Sequence, residues 1–364
     1  MRPSKYLSLL LPVFNTHRTR EILSVNPVIP AQRKDAEKVH ITVFAYSPGT
    51  VKEYQFTSIS ECLHFSENNE FIYWINIDGL RKQDVETAAN HFGIHQLIVE
   101  DILSVDQRPK MDDIEGVLFC LLNMLYFNDI VNTVEQEQIS IALGKNFVVS
   151  FQEDPARDVF NPLRDKLRMA SSKVRQRTAD FLCYSMIDMI VDNYYIVMEK
   201  LGDRLENIED EIIRNSNKRS LARINQLRKE LIVLKRNIGP VRDLVNGFLR
   251  SESELLDDRT TKYFKDIYDH IVQANDLSEN YRDMMLNLQD LYLSNVNLKT
   301  NEVMKVMAVV TCLLAPATVI GGIFGMNFDV IPTMHNQWGF YTAVGVMLLI
   351  PLLMLWIFKR RGWF

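Results

Sequence analysis

No charged residue falls between Lys305 and Asp329. A helix of that length crosses the roughly 30 Å of hydrocarbon in a bilayer, so the stretch has to be accommodated in a membrane. A second uncharged run, Trp338 to Phe358, follows a short loop and ends in Lys359-Arg360-Arg361. The predicted spans are 303–324 and 338–358, joined by a loop over 325–337. Basic residues flank the second span and the loop carries no Lys or Arg. The positive-inside rule therefore puts the loop outside, and the 359–364 tail and everything before the first span in the cytoplasm.

One face of the first span differs from the rest. Asn297, Asn301, Met304, Ala308, Thr311, Ala315, Thr318, Gly322 and Gly325 recur at spacings of four and three, a small or polar stripe on a helix otherwise rich in Val, Leu, Ile and Phe. Two readings fit. The stripe is a close helix-packing seam, which Gly321-x-x-x-Gly325 favours, or it is the wall of a water-filled pore. Two spans cannot enclose a pore, so the second reading requires several copies around one axis.

With 364 residues, 24% of them charged, the chain has enough material for a cytoplasmic core besides two spans. A net charge of -5 argues against nucleic acid as a partner. Cys62, Cys120, Cys183 and Cys312 lack metal-ligand spacing, as expected of reduced thiols. The apolar Tyr6 to Phe14 lacks the length and cleavage site of a signal peptide, so the first span is expected to direct insertion.

Residues 1–38 read as an irregular arm and 39–160 as an α/β domain. Within the domain, Val39–Tyr46 and Phe71–Ile77 are β-rich, and Tyr54–Ser66 is ambiguous. Asp84–His91 is helical with Gly93 as cap; Val117–Phe127 and Ile139–Phe151 are apolar runs, and the turn at Gly144-Lys145-Asn146 suits a hairpin. From Asn161-Pro162, with Asn as cap and Pro in the first turn, the pattern becomes helical and stays so. Ile187 to Ile212 and Leu221 to Ile238 carry apolar residues in steps of three and four about a polar break at Asn215-Ser216-Asn217, an antiparallel helical hairpin within 161–247. Gly239-Pro240 is expected to interrupt the second helix. No glycine or proline follows Gly247 until Pro316, so the stalk, 248–302, is expected to continue into the first span as one helix on the order of 100 Å long.

These residues carry a resemblance. Gly325-Met326-Asn327 at the outer end of the first of two C-terminal spans resembles the signature of the CorA family of magnesium and cobalt transport proteins. So do Thr300-Asn301-Glu302-Val303-Met304-Lys305-Val306, Val99-Glu100-Asp101-Ile102-Leu103 with Gln107-Arg108-Pro109, Tyr263 to His270, and the tail ending in Trp363-Phe364. The likeness runs from about Val39 to the end. It implies an α+β/α membrane protein built as a homopentameric funnel, with a cytoplasmic α/β domain, a helical stalk carrying the antiparallel hairpin, and two transmembrane helices, the first lining the pore. It further implies a bacterial or archaeal inner membrane, membrane lipid and divalent cations as the other partners, Mg2+ as both substrate and regulatory ligand, and no organic cofactor.

By the same resemblance, Gly325, Met326 and Asn327 form the selectivity filter, and Asp290, Asn301, Met304, Met307 and Thr318 line the pore; Thr311 joins them from the stripe. Asn side chains and backbone carbonyls suit Mg2+, which gives up water reluctantly and can be recognised through its hydration shell. Met304 and Met307 are either an apolar constriction or ordinary helix packing. Asp329 is the loop's only carboxylate, since Pro332 is followed by Thr333 where many relatives have an acid; His335 is either solvated or a bias toward softer divalent ions. Asp266, Asp269 and His270 share a helix face by spacing and are a solvated face unless the resemblance holds. If it does, Asp101 and Asp266 become the leading regulatory ligands, with Glu100, Asp188, Asp269 and His270 beside them and Glu100-Asp101 reaching Asp266 across a subunit boundary. The rivals are a Zn2+, Co2+ or Ni2+ transporter of the same superfamily and a membrane-anchored coiled-coil scaffold. The chain shows no phosphate loop or nucleophile motif of an enzyme.

Overall fold

The computed structural model describes residues 35–63, 70–105, 107–154, 157–326 and 337–362. The chain divides into two compact units: Met1–Glu211 with Asn217–Gln289, and Ile212–Ser216 with Asp290–Phe364.

The first unit holds a seven-stranded sheet built from β1 (His40–Tyr46), β2 (Val51–Phe56), β3 (Ile72–Asp78), β4 (Lys110–Ile114), β5 (Val117–Asn128), β6 (Thr133–Leu143) and β7 (Phe147–Gln152). The strand order is β2-β1-β3-β7-β6-β5-β4. Only β3 and β7 run parallel; the other neighbours are antiparallel. Helices α1 (Ile59–Leu63), α2 (Lys82–Phe92) and α3 (Gln96–Leu103) supply Ile59, Val85, Ala88, Ile98 and Ile102 to a core with Ile41, Val43, Ile75, Ile77 and Val149. The alternate residues face other helices. Trp74 stacks edge-on against Phe160, and Asn123 meets Tyr194 and Asn237. Burial on both faces is why the inner strands read as continuous apolar runs.

The expected Gly93 cap is present, left-handed at φ 67°, with its N–H on Ala89 O. The hairpin at Gly144-Lys145-Asn146 joins β6 to β7 as expected. Asn161 does not cap: α4 (Asn161–Arg168) starts on it, and Phe160 is the cap. Nor does the helical pattern continue from there. Residues 169–178 turn, with the buried Arg175 donating to Ser47 O at 3.1 Å and to Arg168 O at 3.4 Å.

α5 (Ala179–Asn215) and α6 (Lys218–Arg250) form the expected antiparallel pair, tied by Ser220 Oγ donating to Glu211 at 2.9 Å. Asn217 caps α6 through the backbone N–H groups of Arg219 and Ser220. The expected interruption at Gly239-Pro240 does not occur, because Pro240 lies inside α6. Ile238, Pro240, Val241, Leu244 and Val245 are all buried on the helix, and this packing outweighs the local cost of the missing N–H. The chain breaks instead at 251–257, where Asp257 accepts from Arg259 N at 2.8 Å and starts the next helix.

That helix, α7 (Asp258–Phe324), is 67 residues long with Pro316 inside it, about 100 Å at 1.5 Å per residue. It runs unbroken through the first predicted span. α8 (Gly339–Arg360) occupies the second. Both are long and apolar enough to cross a membrane.

The end of β3 carries a buried polar network. Trp74 Nε1 donates to Ser150 Oγ at 2.9 Å, and that hydroxyl donates to Asn76 Oδ1 at 2.6 Å. Asp78 Oδ1 accepts from Asn76 Nδ2 at 2.9 Å and from Gln152 Nε2 at 3.2 Å. Burial first, then the neighbouring Asp158, raise the Asp78 carboxyl from 3.8 to about 7, against the Asn76 bond and Arg164; Glu137 adds to the rise. Gly79 follows at φ 84°, where a Cβ would sit 2.4 Å from Lys38 O.

Candidate ion pathway and metal-binding cluster

The stripe predicted on the first span lies on one continuous helix, and Asn297, Asn301, Met304, Ala308, Thr311, Ala315, Thr318, Gly322 and Gly325 are all exposed within the chain. The half-buried or buried positions of the same segment are Lys305, Val309, Leu313, Pro316, Ala317, Ile320 and Phe324. At about 100° per residue these lie on the side opposite the stripe. Gly321, a quarter-turn from the stripe, approaches Met347 of α8. Among the described residues of this segment Val309 alone is buried; the partly covered positions cluster away from the stripe, beside the exposed Val306 and Val310, and the stripe itself is uncovered.

Thr311 Oγ1 donates to Met307 O at 2.9 Å and Thr318 Oγ1 to Leu314 O at 3.1 Å. Each hydroxyl has committed its proton to the backbone, so toward the stripe it is an acceptor, the polarity that meets the hydrogens of cation-bound water. Met304 and Met307 are both exposed, Met304 on the stripe and Met307 beside it, and Asp290 is exposed further back on α7. At the outer end, Gly325 N–H bonds Gly321 O at 2.9 Å and closes the last turn, with Met326 exposed beyond it. Asn327, Asp329, Thr333 and His335 lie outside the described residues.

The carboxylates expected to sense metal separate into two places. Asp188 and Asp192, one turn apart on α5, meet His270 of α7, with a ligand atom from each within 4.8 Å of the others. Burial raises the Asp188 pKa, and Asp192 adds to the rise. A hydrogen bond from Tyr184 and the nearby His270 oppose it, while Asp266 raises it further. A carboxylate raised by burial and by a second carboxylate beside it is stabilised in its charged form by a cation. Two carboxylates and one imidazole suit a divalent ion, with the nitrogen favouring the softer members of that class. Asp192 was missed in the sequence, although its i,i+4 spacing from Asp188 places both on one face.

Asp266 and Asp269 are exposed. Glu100 is exposed as well, but Asp101 is engaged: Lys110 Nζ donates to its Oδ2 at 2.5 Å and reaches Asp112 at 3.1 Å. Burial lowers the Lys110 pKa, yet these two partners outweigh it and the net shift is upward. A cation at Asp101 has to compete with that ammonium.

Residues 69–360 match the family described as CorA-like Mg2+ transporter protein. The cobalt/magnesium transport protein CorA of Thermotoga maritima is 38% identical over 331 residues, covering 91% of this chain and 94% of that protein. The putative metal ion transporter YfjQ of Bacillus subtilis is 32% identical over 80% of this chain and 90% of its own length. Among solved structures, the complete CorA magnesium transporter of Methanocaldococcus jannaschii superposes with a TM-score of 0.74 at 22% identity, covering 89% of this chain and 98% of that one. The full-length CmaX protein does so at 0.68 and 16% identity, over 90% and 99%.

Proposed function

The chain belongs to the CorA-like Mg2+ transporter family, and from that premise we propose that it is a divalent-cation channel carrying Mg2+ across an inner membrane, with Co2+ and Ni2+ as further cargo. The observation that carries the reading is the α7 stripe, small or polar and exposed along its whole described length, with the partly covered positions of the segment on the other side. A coiled-coil scaffold has no use for such a face. In the proposed assembly five copies turn the stripe toward one axis, α8 packs outside, and both termini are cytoplasmic. Gly325, Met326 and Asn327 form the outer filter, holding a hydrated ion through amide and carbonyl oxygens without a carboxylate inside the bilayer. Asp290 and Asp329 concentrate cations at the two ends. Met304 and Met307 form the apolar constriction.

Regulation by cytoplasmic Mg2+ follows from the carboxylates. Asp188, Asp192 and His270 supply one site within the chain, with Asp266 close by. Glu100 and Asp101 of one subunit, facing Asp266 and Asp269 of the next, supply another. Without a cation these charges repel; with it the closed arrangement is favoured, and α7 carries the difference to the constriction.

The test is uptake into vesicles reconstituted with the full chain, comparing Mg2+, Co2+, Ni2+ and Zn2+, for wild type and N327A. Mg2+ uptake in wild type that falls at least tenfold in an assembled N327A supports the filter. Zn2+ uptake without Mg2+ uptake favours the rival transporter class, and no uptake of any ion rejects the channel reading.

A further inference from the structure

α5 ends against α7 at the level where the stripe begins. The last carbonyls of any helix lack intrahelical donors. Here the donors come from the other helix: Asn295 Nδ2 donates to Ile212 O at 2.9 Å, and Lys299 Nζ donates to Asn215 Oδ1 at 2.7 Å and to Ser216 O at 3.0 Å. Ser216 Oγ also donates to Ile212 O at 2.9 Å, so the turn is bound from within and from without. A lysine at a helix C-terminus is further favoured by the partial negative charge there.

The direction of these bonds matters more than their number. Counting about 100° per residue from Asn295, Lys299 stands at about 40°, whereas Asn297, Asn301, Met304, Ala308, Thr311 and Ala315 fall between about 160° and 240°. The end of α5 therefore grips the back of α7, on the side away from the stripe, two residues before Asn301. Two side chains one turn apart, bonded to one partner, restrain rotation of α7 about its own axis. At a side-chain radius of about 5–6 Å, a rotation of roughly 20° carries Asn301 about 2 Å sideways. That is more than the radius of a water molecule, and enough to change how a hydrated ion is met.

We propose that Asn295 and Lys299 are positioning residues for ion passage: by bonding the C-terminal turn of α5 to the back of α7, they set the rotation at which the stripe faces the conduction axis. The proposal rests on the channel reading above. It assigns to α5 a second task besides carrying Asp188 and Asp192. The helix that holds the metal ligands also holds the aim of the pore helix.

The experiment uses the full chain in vesicles, with N295A/K299M, N295A and K299R beside wild type. Two quantities are read: the internal Mg2+ concentration that halves influx, and the rate at which a small thiol reagent labels Cys312. That cysteine is the exposed one of the four and lies on α7 beyond the grip. In N295A/K299M the half-inhibiting concentration should rise at least fivefold and the labelling rate should change at least threefold. N295A, which alters no charge, should move both in the same direction, while K299R, which keeps its donors, should stay within twofold of wild type. Values within twofold of wild type for both readouts in an assembled double variant overturn the proposal. If the double variant does not assemble, K299M alone removes two of the three bonds, and unchanged readouts there overturn it equally. Should wild type pass no cation at all, the channel reading falls while the Cys312 rates still decide whether the grip sets the rotation of α7.

Discussion

Asp78 is a buried carboxylate that weakens the first unit at neutral pH, and replacing it by Asn should reveal by how much. The folded carboxyl sits at about 7 against 3.8 when free. Because this pKa is raised, the folded state holds a proton that the unfolded state has already released. Stability therefore falls as pH rises from about 3.8 to about 7, and the loss is complete above that. At about 1.36 kcal/mol per pH unit, the penalty reaches roughly 4 kcal/mol at pH 8, of which about 2.5 kcal/mol develops between pH 5 and pH 8. Asp78→Asn keeps an oxygen for Asn76 and Gln152 and removes the charge. The stability difference between D78N and wild type should then grow in favour of D78N by about 2.5 kcal/mol across that interval, or roughly 5–10 °C in unfolding temperature for a unit of this size. Trp74, whose indole belongs to the same hydrogen-bonded network, provides the fluorescence signal. A difference that stays flat between pH 5 and pH 8, or that shrinks with rising pH, refutes the assignment of a neutral Asp78.

Three further outcomes are expected. Asp101→Asn combined with Asp266→Asn should leave Mg2+ influx several-fold less inhibited by millimolar internal Mg2+, measured in reconstituted vesicles. Asp192→Ala should weaken Co2+ binding to the full chain about tenfold or more by calorimetry, because it removes one of the three ligands that meet at Asp188 and His270. Gly79→Ala should destabilise the first unit by roughly 2 kcal/mol or more in denaturant unfolding, since it combines a positive φ with a Cβ driven against Lys38 O.

The two spans, the single long helix and the stripe were legible because they depend on local periodicity, which the chain displays directly. The edge strands were not. Lys110-Met-Asp-Asp-Ile and Val51 to Phe56 are paired on one side only and half exposed, so neither carries the apolar run that marks an inner strand. Pro240 misled for the opposite reason: its local preference is plain, but a buried helix face holds the backbone across it. The breaks at 169–178 and 251–257 depend on Arg175 reaching Ser47 and on Asp257 N–H reaching Asp180, contacts between residues more than seventy positions apart. The same limit applies to the candidate metal ligands. Spacing put Asp266, Asp269 and His270 on one face, but that His270 turns to Asp188 and Asp192 of another helix, and that Asp101 is held by Lys110, are facts of tertiary packing.

Pro316 sits within the membrane-crossing part of α7, eight residues from its end. Having no N–H, it leaves the Cys312 carbonyl without its usual intrahelical partner and thins the ladder at one level. The helix is continuous through that level but is held there by one backbone bond fewer. In the channel proposed above, a twist of the helix below Pro316 would act on Met304 and Met307 first and would be weakened at this level before it reached Gly325. In that proposed channel the filter would keep one shape while the constriction beneath it works, so that selection and closure would fall on different parts of one helix.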